Sequence, residues 1–155
     1  MTRPWETLET VPTAWGPLSL RRRGEDDLLI AIGPRVLMTS RAHRSEQRLA
    51  EWACDPIRER SAPCVLIGGL GLGYTLRAAL DRLPAAAQVV VAEIEPAVVR
   101  WCEGPCAPLS RNALADPRVR VRVADVAAVV RESRAGFDAI ALDLFEGPRG
   151  DGAEA

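Results

Sequence analysis

The chain has 155 residues, enough for one domain with a core of its own. Its 20 basic residues, every one an Arg, nearly balance 21 acidic ones, which excludes the strong single-sign field of a nucleic-acid or membrane-surface binder. No apolar run approaches the ~20 residues of a membrane span, and Met1-Thr2-Arg3-Pro4-Trp5-Glu6 carries no signal-peptide core.

A cytoplasmic protein is therefore expected, without nucleic-acid or membrane partners and with its four cysteines as reduced thiols. His43 is the single histidine, and Gly104-Pro105 interrupts the spacing between Cys102 and Cys106. No second ligand pair completes a zinc site, so no metal is expected.

Residues 1 to about 40 read as β-structure. Leu18 to Arg22, Leu28 to Ile32 and Arg35 to Met38 are short apolar-leaning runs, separated by the turn chemistry of Gly24-Glu25-Asp26-Asp27 and Gly33-Pro34. A small antiparallel sheet follows, and the N-terminal β region is set at 1–44. From Ser45 the period changes: Leu49, Trp52 and Ala53 fall at helical spacing, with Ser45 as the expected cap and a stop near Asp55-Pro56.

After Pro63 strand and helix alternate. Cys64-Val65-Leu66-Ile67 is a continuous apolar run of the kind buried on both faces of a sheet. A helix is expected from about Tyr74 to Leu83, a second strand at Val89 to Ala92, and a helix opened by Pro96. A looser stretch, Gly104 to Asp116, precedes a third strand at Val119 to Val123. Asp125 then caps a helix to about Ser133, and Phe137 to Leu142 is the fourth strand.

Strands separated by helices require parallel pairing with right-handed crossovers. The fold class is α/β: a doubly wound, Rossmann-like, mostly parallel sheet over 45–155, preceded by the small antiparallel region. In such a sheet the fourth strand lies beside the first, and its outer edge stays unpaired unless something covers it. The α/β unit is accordingly read as missing its last strands, with a homodimer as one expected cover for that edge.

The strongest chemical signal is the turn Gly69-x-Gly71-x-Gly73 between the first strand and its helix. Glycines there let backbone pass under a ligand, whose polar end meets the N–H groups of the following helix. Tight packing alone is the competing explanation. Glu93 closes the next strand, twenty residues beyond Gly73, where a carboxylate can accept both hydroxyls of a ribose. Asp125 ends the third strand behind Ala124; it suits an exocyclic adenine amine and equally a plain helix cap. Asp143 closes the fourth strand, with Glu146 three residues on. Two acids at the mouth of the sheet suit a cationic substrate or the deprotonation of an amine, or are ordinary solvated loop residues.

Four motifs in this order resemble the spermidine synthase family, aminopropyltransferases built on the class I S-adenosylmethionine-dependent methyltransferase fold. They are Val65-Leu66-Ile67-Gly68-Gly69-Leu70-Gly71-Leu72-Gly73 with Thr75-Leu76-Arg77, and Glu93-Ile94-Glu95-Pro96. Asp116-Pro117-Arg118-Val119 leading to Ala124-Asp125 is the third, and Phe137-Asp138-Ala139-Ile140 leading to Asp143 is the fourth. The N-terminal β region resembles that family's own small sheet, so the likeness covers essentially the whole chain.

The resemblance implies a small-molecule donor, S-adenosylmethionine or its decarboxylated form. It implies Gly69, Gly71, Gly73, Glu93, Ile94, Ala124 and Asp125 around that donor, with Glu93 at the ribose and Asp125 at the adenine. Asp143 falls on the carboxylate that helps deprotonate the attacking amine, and Glu146 on an acid that assists polyamine binding. Two departures accompany the matches. The family's glycine-rich turn usually bears an aspartate for the amine, where Leu72 stands; Ser45-Glu46 occupies roughly the place of its Tyr-His pair. Three functions follow: an aminopropyl transferase, a methyltransferase on another acceptor, and a non-catalytic nucleoside-binding or scaffold protein.

Overall fold

A computed structural model describes residues 3–144. Four strands form an antiparallel meander, β1 (Glu6–Thr13), β2 (Gly16–Arg23), β3 (Asp27–Ile32) and β4 (Arg35–Thr39), in the order β1-β2-β3-β4. β1 was not among the runs expected from sequence. Its side chains are only half-buried, so it lacks a clean apolar signature, and Pro12 is tolerated because β1 lies at the sheet's edge. β2 and β3 supply the buried Leu18, Leu20, Leu28 and Ile30. A register shift between Ile30 and Ala31 makes a bulge opposite Leu37, re-aiming the residues of β4.

α1 (Arg44–Cys54) begins one residue earlier than the expected cap. Its N-cap is His43, with no side-chain cap bond, so Ser45 is not the cap. The buried Glu46 carboxylate takes the Ser45 hydroxyl instead, at 2.7 Å. The helix stops before Pro56, which opens a short 3-10 turn over Asp55–Ile57.

The second sheet is parallel. β5 (Cys64–Gly68) pairs with β6 (Gln88–Glu93) and with β8 (Ala139–Leu142), and β6 pairs with β7 (Val119–Val123), giving the order β7-β6-β5-β8. The fourth strand of the unit thus lies beside the first, as doubly wound topology requires. α2 (Tyr74–Arg82) and α3 (Pro96–Glu103) are the crossovers before β6 and β7, and α4 (Val126–Glu132) the crossover before β8.

Leu76, Leu80, Val98 and Trp101 from α2 and α3 share one apolar core with Val65, Ile67, Val89 and Val91 and with Leu18, Leu20 and Ile30 of the antiparallel sheet. The opposite face is thinner: Leu66, Ala92 and Val129 form its centre under α4. On β8, Ile140 and Leu142 are 46% and 53% exposed, because the small α4 does not reach across the edge strand.

The two sheets are also tied by polar contacts. Trp101 Nε1 donates to Glu9 at 2.6 Å, and the Tyr74 hydroxyl donates to the Ser40 carbonyl at 3.0 Å. All four cysteines are free. Burial pushes the Cys54 thiol up to about 11 and Cys106 to about 12, and raises Cys102 as well, so these are inert structural thiols.

Candidate active site

A cavity of about 490 Å³ opens between the antiparallel sheet and the carboxyl ends of β5, β6, β7 and β8. That is the position at which open α/β sheets bind ligands. The floor carries Gly69, Gly71, Ala92, Glu93, Ile94, Ala124, Asp125 and Asp143, so seven of the nine residues singled out by sequence line one space. Gly73 does not. It caps α2 at φ +83°, and a Cβ there would meet Ser110 Cβ at 2.9 Å. Glu146 lies outside the described residues.

The glycine-rich turn is shaped by its close neighbours. Gly69 has φ +89°, and a Cβ on it would run into the carbonyl oxygen of Asp143. Gly71 has φ +54°, and a Cβ there would overlap the Met38 thioether. The intervening Leu70 and Leu72 point into the core, Leu72 being only 1% exposed. Leu72 therefore presents no side chain to the cavity.

Glu93 is 8% exposed and accepts two backbone hydrogen bonds, from Leu70 N at 2.8 Å and from Glu95 N at 2.9 Å. Each carboxylate oxygen retains a lone pair for another donor. Ile94, beside it, is half-exposed on the cavity wall. Ala124 N donates to the Glu93 carbonyl at 3.0 Å, locking the ends of β6 and β7 together. Asp125 accepts from Ala127 N at 2.7 Å and Ala128 N at 3.3 Å, so it does cap α4 while also lining the cavity.

Asp143 N donates to the Gly68 carbonyl at 2.8 Å, and the Thr75 hydroxyl donates to the Asp143 carboxylate at 3.2 Å. Burial, reinforced by the charge of Glu46, holds this carboxyl above the usual carboxylate range, against the opposing Thr75 bond. Glu95 is raised too, by burial and by neighbouring Glu93. Among the described residues, the charged lining is four carboxylates, Glu93, Glu95, Asp125 and Asp143, with the guanidinium of Arg35. Such a wall favours a cationic ligand. Among the described residues no cluster of three or more His, Cys, Asp or Glu could hold a metal ion.

Several site residues escaped the sequence reading. Thr75 sits in the first turn of α2 below Asp143, and Glu46 reaches Asp143 electrostatically from α1. Met38 comes from β4 on the other sheet. Thr75 stood in the motif Thr75-Leu76-Arg77 without a role and Ser45-Glu46 was marked by position; Met38 carried no signal, because a half-buried Met at the end of a strand looks like ordinary packing.

No protein-family model matches the chain. In sequence it is similar to a polyamine aminopropyltransferase of Mycobacterium tuberculosis, 32% identical over 135 residues, covering 85% of this chain and 25% of that protein. Polyamine aminopropyltransferase 1 of Streptomyces coelicolor is 37% identical over 123 residues, covering 78% and 22%. The chain thus spans about a quarter of the length of these relatives.

In fold it is similar to the crystal structure of a spermidine synthase from Thermotoga maritima, with TM-score 0.69 at 20% identity, over 90% of this chain and 47% of that one. A spermidine synthase in complex with the transition state analogue AdoDATO gives TM-score 0.68 at 21% identity, over 88% and 47%. The chain is thus similar in sequence to polyamine aminopropyltransferases and shares with the solved spermidine synthases the fold of an antiparallel N-terminal sheet followed by a parallel, class I methyltransferase-like sheet.

Proposed function

We propose that the cavity binds an adenosyl sulfonium donor, S-adenosylmethionine or its decarboxylated form, and presents it for aminopropyl transfer to an amine. The observation carrying this reading is the convergence of Gly69, Gly71, Glu93, Asp125 and Asp143 on one acid-lined space. Glu93 would accept from the ribose hydroxyls with the lone pairs left over from Leu70 N and Glu95 N. Ile94 and Ala124 would flank the adenine, and Asp125 would accept from its exocyclic amine. Gly73 would contribute indirectly, by opening α2.

The chemistry asks little beyond position and a base. The acceptor, an ammonium at neutral pH, gives a proton to the Asp143 carboxylate. Its freed lone pair attacks the carbon on sulfur; the N–C bond forms as the C–S bond breaks, and the bonding pair leaves on sulfur as a neutral thioether. The positive charge passes from sulfur to the new secondary ammonium. A carboxyl raised by burial holds the proton better than a solvated one would, and Glu146 would add a second charge for the amine.

Methyl transfer on the same frame is the second reading, favoured by the burial of Leu72 where a polyamine-binding carboxylate is expected. Calorimetry of the chain with S-adenosylmethionine, its decarboxylated form and methylthioadenosine separates the readings. Preference for the decarboxylated donor is expected. Preference for the carboxylated one supports methyl transfer, and binding of none leaves a scaffold role. The same proposal takes the protein as cytoplasmic and as a homodimer, and sedimentation tests the second point.

A further inference from the structure

The tip of the β1–β2 hairpin forms part of the cavity rim. Thr13 pairs with Gly16, which leaves Ala14 and Trp15 as a two-residue loop. Gly16 closes it at φ +114°, a conformation that residues with a Cβ rarely adopt. The Thr13 hydroxyl donates to the Gly16 carbonyl at 2.7 Å and accepts Trp15 N at 3.2 Å, so the loop backbone is pinned from within.

β1 reaches the cavity by running along α3. Glu9, four residues before Thr13, accepts Arg100 at 2.8 Å and Trp101 Nε1 at 2.6 Å, both from the second half of that helix. Four residues of strand advance about 13 Å. Thr13 and Trp15 then line the cavity together with Val98 in the first turn of α3 and with Ile94 and Glu95 just before it. The hairpin tip thus stands at the end of β6, the side on which Glu93 and Ile94 border the space.

Trp15 is 38% exposed, and among the described residues lining the cavity it is the one aromatic side chain. It also borders a second hollow of about 310 Å³, together with Pro17, Ile32 and Pro34. An indole that lines open space offers a flat, polarisable π surface, and the base is the part of a nucleoside with a matching one. Asp125 suits the edge of an adenine; stacking takes its face.

Resting on the donor reading above, we infer that Trp15 stacks on the adenine of the bound nucleoside and is a specificity-determining residue of the site. It selects a donor that carries a base and leaves the transfer step to Asp143.

The test is titration of the full chain with methylthioadenosine, followed by calorimetry and by tryptophan fluorescence. The chain has four tryptophans, and stacking on a purine quenches the emission of the indole involved. Binding should quench wild type and W52F alike, since Trp52 is 75% exposed on α1 and outside the cavity lining, and the quench should disappear in W15F. W15F keeps an aromatic ring and should bind within about threefold of wild type, whereas W15A should bind at least about tenfold more weakly. A quench that persists in W15F, or W15A binding as tightly as wild type, overturns the inference. Should W15A fail to fold, the W15F fluorescence titration decides alone. Failure of methylthioadenosine to bind wild type overturns the donor reading and this inference with it, while wild-type binding without a Trp15 effect overturns this inference alone.

Discussion

The buried carboxylate of Glu93 accepts the backbone N–H of Leu70 at 2.8 Å, joining the end of β6 to the middle of the glycine-rich turn. Its other oxygen accepts Glu95 N, so one side chain organises both loops that border the cavity. On the proposed donor reading, nucleoside binding and local order are coupled through this residue. E93A leaves two backbone donors unsatisfied and is expected to cost about 1–3 kcal/mol of stability. It should also weaken nucleoside binding at least about tenfold. E93Q keeps an acceptor for one amide and should melt closer to wild type while still losing nucleoside affinity. Calorimetry together with urea melts checks both; unchanged affinity in E93Q removes Glu93 from the ribose.

The turn itself should respond unequally to added methyl groups. At both Gly69 and Gly71 an alanine suffers positive φ, worth about 1–2 kcal/mol. G69A additionally drives its Cβ onto the Asp143 carbonyl, which is backbone and cannot move aside, whereas G71A meets only the flexible end of Met38. G69A is expected to be the more damaging by roughly 1 kcal/mol or more. M38A should partly rescue G71A and leave G69A unaffected. A double-mutant cycle by thermal melts measures this, and equal rescue of both would discard the assigned contacts.

Asp143 supplies a signed pH dependence. Burial and the Glu46 charge raise its folded-state pKa above the unfolded value, so the folded state binds this proton more tightly. The associated stability is fully present below the ordinary carboxylate value of about 3.9 and is lost as pH rises through the raised one. D143N avoids that loss. It should be more stable than wild type near about pH 7, with the advantage fading below about pH 4. Urea midpoints across that range decide it; an advantage of the same size at both ends would mean that Asp143 is not raised.

Leu72 should not tolerate the acid that would make the turn resemble its relatives. At 1% exposure in the shared core, an aspartate there buries a carboxylate and removes a packed side chain. L72D is expected to lose roughly 3 kcal/mol or more, without gaining affinity for putrescine. A stable L72D that binds putrescine tighter than wild type would show that the turn can refold to face the cavity.

Sequence alone determined the wound sheet, because continuous apolar runs such as Cys64-Val65-Leu66-Ile67 and helix starts such as Pro96 and the Asp125 cap are local signals, and parallel pairing follows from their alternation. It also brought out Gly69, Gly71, Glu93, Asp125 and Asp143, since carboxyl ends of strands are fixed by where strands stop. Tertiary structure alone decided the rest. β1 has no strong pattern of its own and exists by pairing with β2; Ser45 lost its cap to a buried Glu46; Gly73 faces Ser110 rather than the cavity. The contact of Met38 with Gly71 joins residues more than thirty positions apart, and no local spacing records which strand of one sheet will rest on a turn of another.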